Sequence, residues 1–121
     1  MGISTGLPDG GEKAVNGEGE RVHVETRAAS GVLSVSIAGE VDLWTLDQLT
    51  RRLRDLDLDD GAHVRLELTR LRFADVAAVR VLAGFARHAR DTGHPLTTQG
   101  AGNTLRKVAS LLGVLDDLGL V

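Results

Sequence analysis

The chain has 121 residues, which is enough for one domain and too few for two of ordinary size. It contains no cysteine, which excludes disulfide scaffolds, thiol catalysis and thiolate–zinc sites. A formal net charge of −3 and an aromatic content of 2% argue against nucleic-acid binding, because that function needs a basic surface and stacking side chains.

The first residues predict neither export nor insertion into a membrane. Residues 1–19 are polar, rich in glycine and without hydrophobic periodicity, so we expect a disordered leader there and a folded domain over residues 20–121. No basic flank and apolar core form a secretory signal, and no apolar run approaches the ~20 residues of a membrane span. We therefore expect a cytoplasmic protein with no membrane insertion.

Two short strands are predicted at the start of the domain. Apolar and polar residues alternate from Val22 to Val24 and again from Leu33 to Ile37, with a turn at Ser30-Gly31 between them. Gly39 is predicted to end the second strand. This period of two indicates a sheet with one buried face and one wet face.

A helix is predicted next, with Asp42 as its N-cap. Its expected apolar stripe is Leu43, Leu46, Leu49, Leu53 and Leu56. After the turn at residues 59–61, a third strand alternates apolar and charged residues from Val64 to Leu68. Because this strand is apolar on only one face, we expect the helices to lie mainly on one side of the sheet.

The second half of the domain is predicted to continue with two more helices. Thr69 to Ala74 is expected to be a loop, Asp75 to cap a second helix that Gly93 ends, and Pro95 to Thr98 to form a fourth strand. The last helix is predicted to start at Gly102 or Asn103, with its apolar face formed by Leu105, Val108, Leu112 and Leu115. The order ββαβαβα predicts an α/β fold with a mixed sheet of four to five strands.

No set of residues in the sequence assembles a catalytic or metal site. The histidines lack ligand spacing, no Gly-rich phosphate loop is present, and no serine lies in a nucleophile elbow. Asp42 and Asp75 are best interpreted as helix caps, and a hydrolase that uses Glu67 and Asp75 would lack a nucleophile. We expect no enzyme activity, no cofactor and no metal.

Three segments resemble the STAS domain, a family that includes bacterial anti-sigma-factor antagonists and the cytosolic parts of sulphate transporters. The first is Gly39-Glu40-Val41-Asp42 before the first helix, and the last is the end of the final helix from Leu111 to Asp116. The middle segment matches the family pattern at Leu68, Thr69, Leu71, Phe73, Asp75, Val79 and Leu82. The resemblance covers about residues 20 to 121 and implies the same ββαβαβα order.

The resemblance also implies a function, which is docking onto a kinase-type anti-sigma factor or a related regulatory protein during sigma-factor partner switching. The expected docking surface comprises Asp42, Trp44, Thr45, Arg70, Arg72, Asp75, Val76, Ala77, Ala78 and Val79. In antagonist members a partner kinase phosphorylates a Ser or Thr just after the motif's Asp. That position falls here on Val76 or Ala77, with Ala78 where the family has a flexible Gly, so the usual phosphosite is degenerate.

Several alternatives stay open at this point. Thr69, Thr45 or Ser30 are other candidate phosphate acceptors, and Trp44 is as compatible with covering the sheet edge as with an interface. A second function is the binding of a small ligand, as in relatives that bind nucleotides or serve lipid transport, either near Asp75 or at Gly100–Gly102. Whether the chain forms a homodimer is also open.

Overall fold

A computed structural model describes residues 21–120 of the chain, and the leader expected over residues 1–19 lies outside this range. The elements are β1 (Val22–Ala29), β2 (Val32–Val41), α1 (Leu46–Arg54), β3 (His63–Glu67), β4 (Leu71–Ala74), α2 (Val76–Asp91), β5 (Leu96–Gln99), α3 (Asn103–Leu112) and α4 (Leu115–Leu118).

The five strands form one mixed sheet, which confirms the predicted α/β fold. The strand order is β1-β2-β3-β5, and β4 pairs with β2 beyond the end of β3. β1 and β2 are antiparallel and joined at Ser30 and Gly31, whose φ angles of 52° and 78° suit the tight turn of a β-hairpin. All other pairs are parallel, because helices connect those strands.

The hydrophobic core lies on one face of the sheet, under the helices. Val35, Ile37 and Leu66 from the central strands are completely buried, as is Leu82 from α2. The alternate residues of the same strands, such as Ser36 and Glu67, are half-buried and polar. This division follows because apolar residues occur at every second position along these strands, and successive side chains of a strand point to opposite faces of the sheet. It confirms that the helices lie mainly on one side of the sheet.

The start of the first helix differs from the prediction. α1 begins at Leu46, because Asp42 Oδ1 accepts hydrogen bonds from the backbone N–H groups of Trp44 (2.9 Å) and Thr45 (3.2 Å) in a turn that precedes the helix. Leu43 was expected on the buried stripe and is instead 77% exposed in this turn.

The loop predicted at Thr69 to Ala74 contains a strand, since Leu71–Ala74 pairs with the end of β2. β2 accordingly does not end at Gly39 but continues to Val41, with a register shift between Gly39 and Glu40. Gly39 has a φ of 108°, and a Cβ there would overlap the carbonyl of Arg21, so this position needs glycine.

The last predicted helix is two helices. α3 ends at Leu112, because Gly113 adopts the left-handed conformation with a φ of 73°. Leu115 belongs to the short α4 that follows. Arg90 on α2 holds α4 by donating hydrogen bonds to the carbonyl groups of Asp116 and Asp117.

Candidate partner-docking surface

Two turns predicted to carry function lie side by side at one end of the sheet. β2 and β4 are parallel, so their carboxyl ends meet at the same edge. Glu40 is in register with Phe73, and the backbone N–H of Asp75 donates to the carbonyl of Val41 at 3.1 Å. The turn at residues 42–45 therefore lies beside the first turn of α2.

Four large apolar side chains at this edge are exposed to solvent. Leu43 is 77% exposed, Trp44 80%, Phe73 52% and Val76 49%. We call these four residues the apolar patch. In the described part of the chain, Leu111 on α3 is the other large apolar side chain of comparable exposure. Neighbouring apolar side chains that stay in water are typical of binding surfaces, and Trp is enriched at their centres.

A connected set of ion pairs lies at the strand ends next to the patch. The Arg21 guanidinium lies 3.2 Å from a carboxylate oxygen of Glu40 and 3.5 Å from one of Asp42. Arg72 lies 3.7 Å from the second carboxylate oxygen of Glu40 and is 75% exposed. These pairs are open to solvent, so they contribute little to stability and are accessible to a partner.

The N-terminus of α2 is fixed by Asp75. Its side chain accepts a hydrogen bond from the backbone N–H of Ala78 at 2.9 Å, as expected for an N-cap. Val76 and Ala77 project from this first turn into solvent, whereas Ala78 and Val79 are completely buried. The structure thus brings Asp75, Val76 and Ala77 to the surface and places the side chains of Ala78 and Val79 in the core.

Thr45 and Arg70 are placed differently from the rest of the expected surface. Thr45 is only 2% exposed, because its hydroxyl donates to the carbonyl of Glu40 at 2.9 Å and accepts from the N–H of Asp42. Arg70 is exposed and lines a small hollow with His23 and Ala38. Among the expected docking residues, Asp42, Trp44, Arg72, Asp75, Val76 and Ala77 are the ones that meet at the sheet edge with an accessible side chain.

Leu43 and Phe73 belong to the patch although neither was named among the expected partner-binding residues. Both fall within the segments expected to dock, but Leu43 was assigned to the apolar stripe of α1 and Phe73 was named as a motif position. The signal for Leu43 was Asp42, because an Asp side chain can accept from the backbone N–H groups two and three residues further on and so favours a local turn.

The other candidate positions have simple environments. Ser30 and Thr69 are exposed hydroxyl residues outside the apolar patch. Gly100 has a φ of 77°, and a Cβ there would lie 2.7 Å from the backbone nitrogen of Thr69, so close packing accounts for this glycine. Within residues 21–120, no three acidic or histidine side chains cluster in a way that could hold a metal ion.

No helix in the described range combines the length and the apolar character needed to cross a bilayer.

The buried histidine, His94, is bonded at both ring nitrogens and lies at the far end of α2 from the patch.

Solved structures with the same fold include regulators and a transporter. An anti-sigma factor antagonist from Mycobacterium paratuberculosis is 21% identical, covering 78% of this chain and 80% of its own, with a TM-score of 0.61. The phosphorylated form of the Bacillus cell fate determinant SpoIIAA is 19% identical over 76% of this chain and 85% of its own, with a TM-score of 0.57. The murine anion transporter Slc26a9 is 16% identical over 75% of this chain and 15% of its own, with a TM-score of 0.62.

The sequence itself carries the family signal. No curated protein matches it. A family model described as "Mlab, STAS domain" matches residues 22–121, which is nearly the whole chain. At these low identities the solved structures show a shared fold, and the family model shows membership: the chain belongs to the STAS domain family.

Proposed function

We propose that this protein is a non-catalytic interaction module of the cytoplasm that binds a kinase-type anti-sigma factor, or a related regulatory protein, through the apolar patch. The observation that carries the proposal is the exposure of Leu43, Trp44, Phe73 and Val76 at one edge of a well-packed domain. The solved structure from Mycobacterium paratuberculosis with this fold is described as an anti-sigma factor antagonist, which supports the same class of partner.

The position of the patch supports this proposal. The side chains come from two turns that the β2–β4 pairing holds together, so a partner would meet a preformed surface. The ion pairs that join Arg21, Arg72, Glu40 and Asp42 form a polar border beside it. An apolar centre with a polar border is the usual arrangement of a protein interface.

We further propose that phosphorylation does not switch this surface at its usual place. Val76 and Ala77 occupy the exposed first turn of α2 and have no hydroxyl group. A phosphate at either position would add about −1.5 to −2 charges within or directly beside the patch, whereas hydrocarbon side chains leave the surface the same whether or not a kinase is active. The module would then hold its partner without release at this site.

Truncation of Trp44 tests the docking surface. Trp44→Ala should weaken binding to a purified anti-sigma factor from the same organism about thirtyfold, the loss expected for a central aromatic side chain. The melting temperature should hardly change, because Trp44 is 80% exposed. Leu111→Ala is the matched control, since Leu111 is 82% exposed on α3, away from the patch, and its truncation should leave the Kd unchanged. Equal affinities for all three proteins would refute the proposal.

A gain of phosphorylation tests the degenerate site. After incubation with the anti-sigma kinase and ATP, intact-mass spectrometry should find no added phosphate on the protein. Val76→Ser restores a hydroxyl at the exposed turn and should take up one phosphate that lowers partner affinity. A phosphate on the unmodified protein at Ser30 or Thr69 would show that the switch has moved and would contradict this part of the proposal.

A further inference from the structure

A second surface feature lies beside the buried face of α2, on the flank that faces α1, and is separate from the apolar patch. A cleft of about 530 Å³ runs between α1 and α2 and is closed at its base by the segment that follows α1. Its apolar lining is Leu53, Leu56, Leu58, Val81 and Phe85. Leu53 is nearly buried, and the other four are half-buried, so the cleft has an apolar floor with side chains that still meet water. We call this feature the α1–α2 cleft.

Most of the polar groups in the cleft are already satisfied within the chain. The hydroxyl of Thr50 donates to the carbonyl of Leu46 at 3.0 Å. His94 Nε2–H donates to the carbonyl of Asp59 at 3.0 Å, and its Nδ1 accepts from the Thr92 hydroxyl at 3.0 Å. Because the polar atoms of Thr50, Thr92 and His94 already have partners within the chain, these side chains do not need hydrogen bonds from a ligand.

Two side chains at the cleft are different. In the described part of the chain, the Arg54 guanidinium and the His88 ring have neither an ion pair nor a side-chain hydrogen bond. They lie on facing helices, and no carboxylate side chain lines the cleft with them. An apolar floor beside a guanidinium and an imidazole, with no carboxylate in the lining, is complementary to one kind of molecule, an apolar body with a single anionic group.

We propose that the α1–α2 cleft binds a soluble amphipathic anion, a single alkyl chain that ends in a carboxylate or a phosphate. The alkyl chain lies on the five apolar residues, and the anionic group lies at Arg54 and His88. A volume of about 530 Å³ is within the roughly 300–1,000 Å³ of ordinary ligand sites. This inference does not depend on the proposed partner, because no residue of the apolar patch lines the cleft.

Titration with simple alkyl compounds tests the site. Octanoate, decanoate and dodecanoate, each kept below its micelle concentration, should bind with affinity rising up to about fourfold for each added methylene. Amide resonances of α1 and α2 should shift in NMR spectra, whereas those of the patch should not. Decyltrimethylammonium should bind at least tenfold more weakly than decanoate, because its head group repels Arg54.

Two variants and one control locate the binding. Arg54→Gln should weaken decanoate binding about fivefold and leave the binding of uncharged decanol unchanged. Arg51→Gln is the matched control on the same helix, since Arg51 pairs with Asp47 at 3.5 Å and does not line the cleft. Val81→Trp should fill the cleft and abolish binding of every alkyl compound, while a thermal melt followed by circular dichroism reports whether the domain is still folded.

Several results would overturn the proposal. Equal affinity for decanoate and decyltrimethylammonium would show adsorption without charge recognition. The cleft would be excluded as a site for free amphipathic anions if no soluble alkyl anion bound to the protein. It would also be excluded if the protein bound only to vesicles of phosphatidylglycerol, or only to an acidic amphipathic peptide. Because Trp44→Ala leaves the cleft intact, failure here is distinguishable from failure of the docking proposal.

Discussion

Removal of the N-cap of α2 should destabilise the domain by a predictable amount. The Asp75 side chain accepts a hydrogen bond of 2.9 Å from the N–H of Ala78, at the start of a helix of 16 residues. Loss of such a cap costs about 1 kcal/mol, and loss of a negative charge at a helix N-terminus costs about 0.5 kcal/mol more. Asp75→Ala should therefore lower the free energy of unfolding by about 1.5 kcal/mol.

Asp75→Asn separates these two effects. Asparagine caps helices as well as aspartate does, so this variant keeps the hydrogen bond and loses only the charge, at a cost of about 0.5 kcal/mol. For a domain of this size, we expect the melting temperature to fall by about 6–12 °C in Asp75→Ala and by about 2–4 °C in Asp75→Asn.

Urea unfolding at neutral pH, followed by circular dichroism, measures these differences directly. The order of stability should be wild type, then Asp75→Asn, then Asp75→Ala, with the same dependence on urea concentration in all three. If Asp75→Asn were as unstable as Asp75→Ala, the charge and not the cap would be the dominant effect. If neither variant lost stability, Asp75 would have no structural role and its place in the motif would need a functional reason.

Two further predictions concern the ion pair between α2 and α4 and the glycines at two turns. Arg87 donates a hydrogen bond of 2.9 Å to Asp117, and this bond lowers the pKa of the Asp117 carboxyl group in the folded state. The pair therefore stabilises the folded state fully above the unfolded-state pKa of about 3.9. This stabilisation is lost as the pH falls through the lowered pKa of the folded state. Thermal melts of wild type and Arg87→Met should differ at pH 6 and converge at about pH 2, and a constant difference would contradict this sign. Gly100→Ala should lower the free energy of unfolding by well over 1 kcal/mol, because φ is 77° and the new Cβ would collide with Thr69. Gly61→Ala should lower it by about 1 kcal/mol, because φ is 70° but the new Cβ would meet open space. Equal losses in the two glycine variants, measured by urea unfolding, would show that the contact with Thr69 is unimportant.

The sequence was sufficient to predict elements whose pattern is local. The alternation around Val35 and Val64 marked two strands and their buried face, because each strand is apolar on one side only. Asp75 marked the start of α2 correctly, since its cap involves a residue three positions away. Gly113 also ends α3 through its own backbone conformation, but the predicted helix ran past it to Leu115.

Features that depend on distant residues were missed. Leu71–Ala74 has little strand pattern of its own and becomes a strand only because the end of β2 is free to pair with it. The α1–α2 cleft was also unpredictable, since Leu53 and Phe85 each fit a buried stripe and only the separation of the two helices leaves space between them.

The candidate docking surface was predicted in part. Trp44 and Val76 are exposed where the motif placed them, because the ends of parallel strands share one edge of the sheet. Ala78 and Val79 follow Val76 by two and three residues but point into the core, since one turn of a helix carries both an outer and an inner face. A stretch of consecutive residues was therefore too coarse a description of a helical surface.

The pairing of β2 with three other strands has a consequence for synthesis on the ribosome. In residues 21–120, β1 and β2 form the one strand pair joined by a tight turn, and an isolated hairpin is marginally stable in water. β3, β4 and the helix that covers Val35 and Ile37 all come later in the chain. The emerging amino-terminal half consequently exposes apolar strand surface at least until Leu82 has left the ribosome, and a chaperone that binds this surface would protect it during that interval.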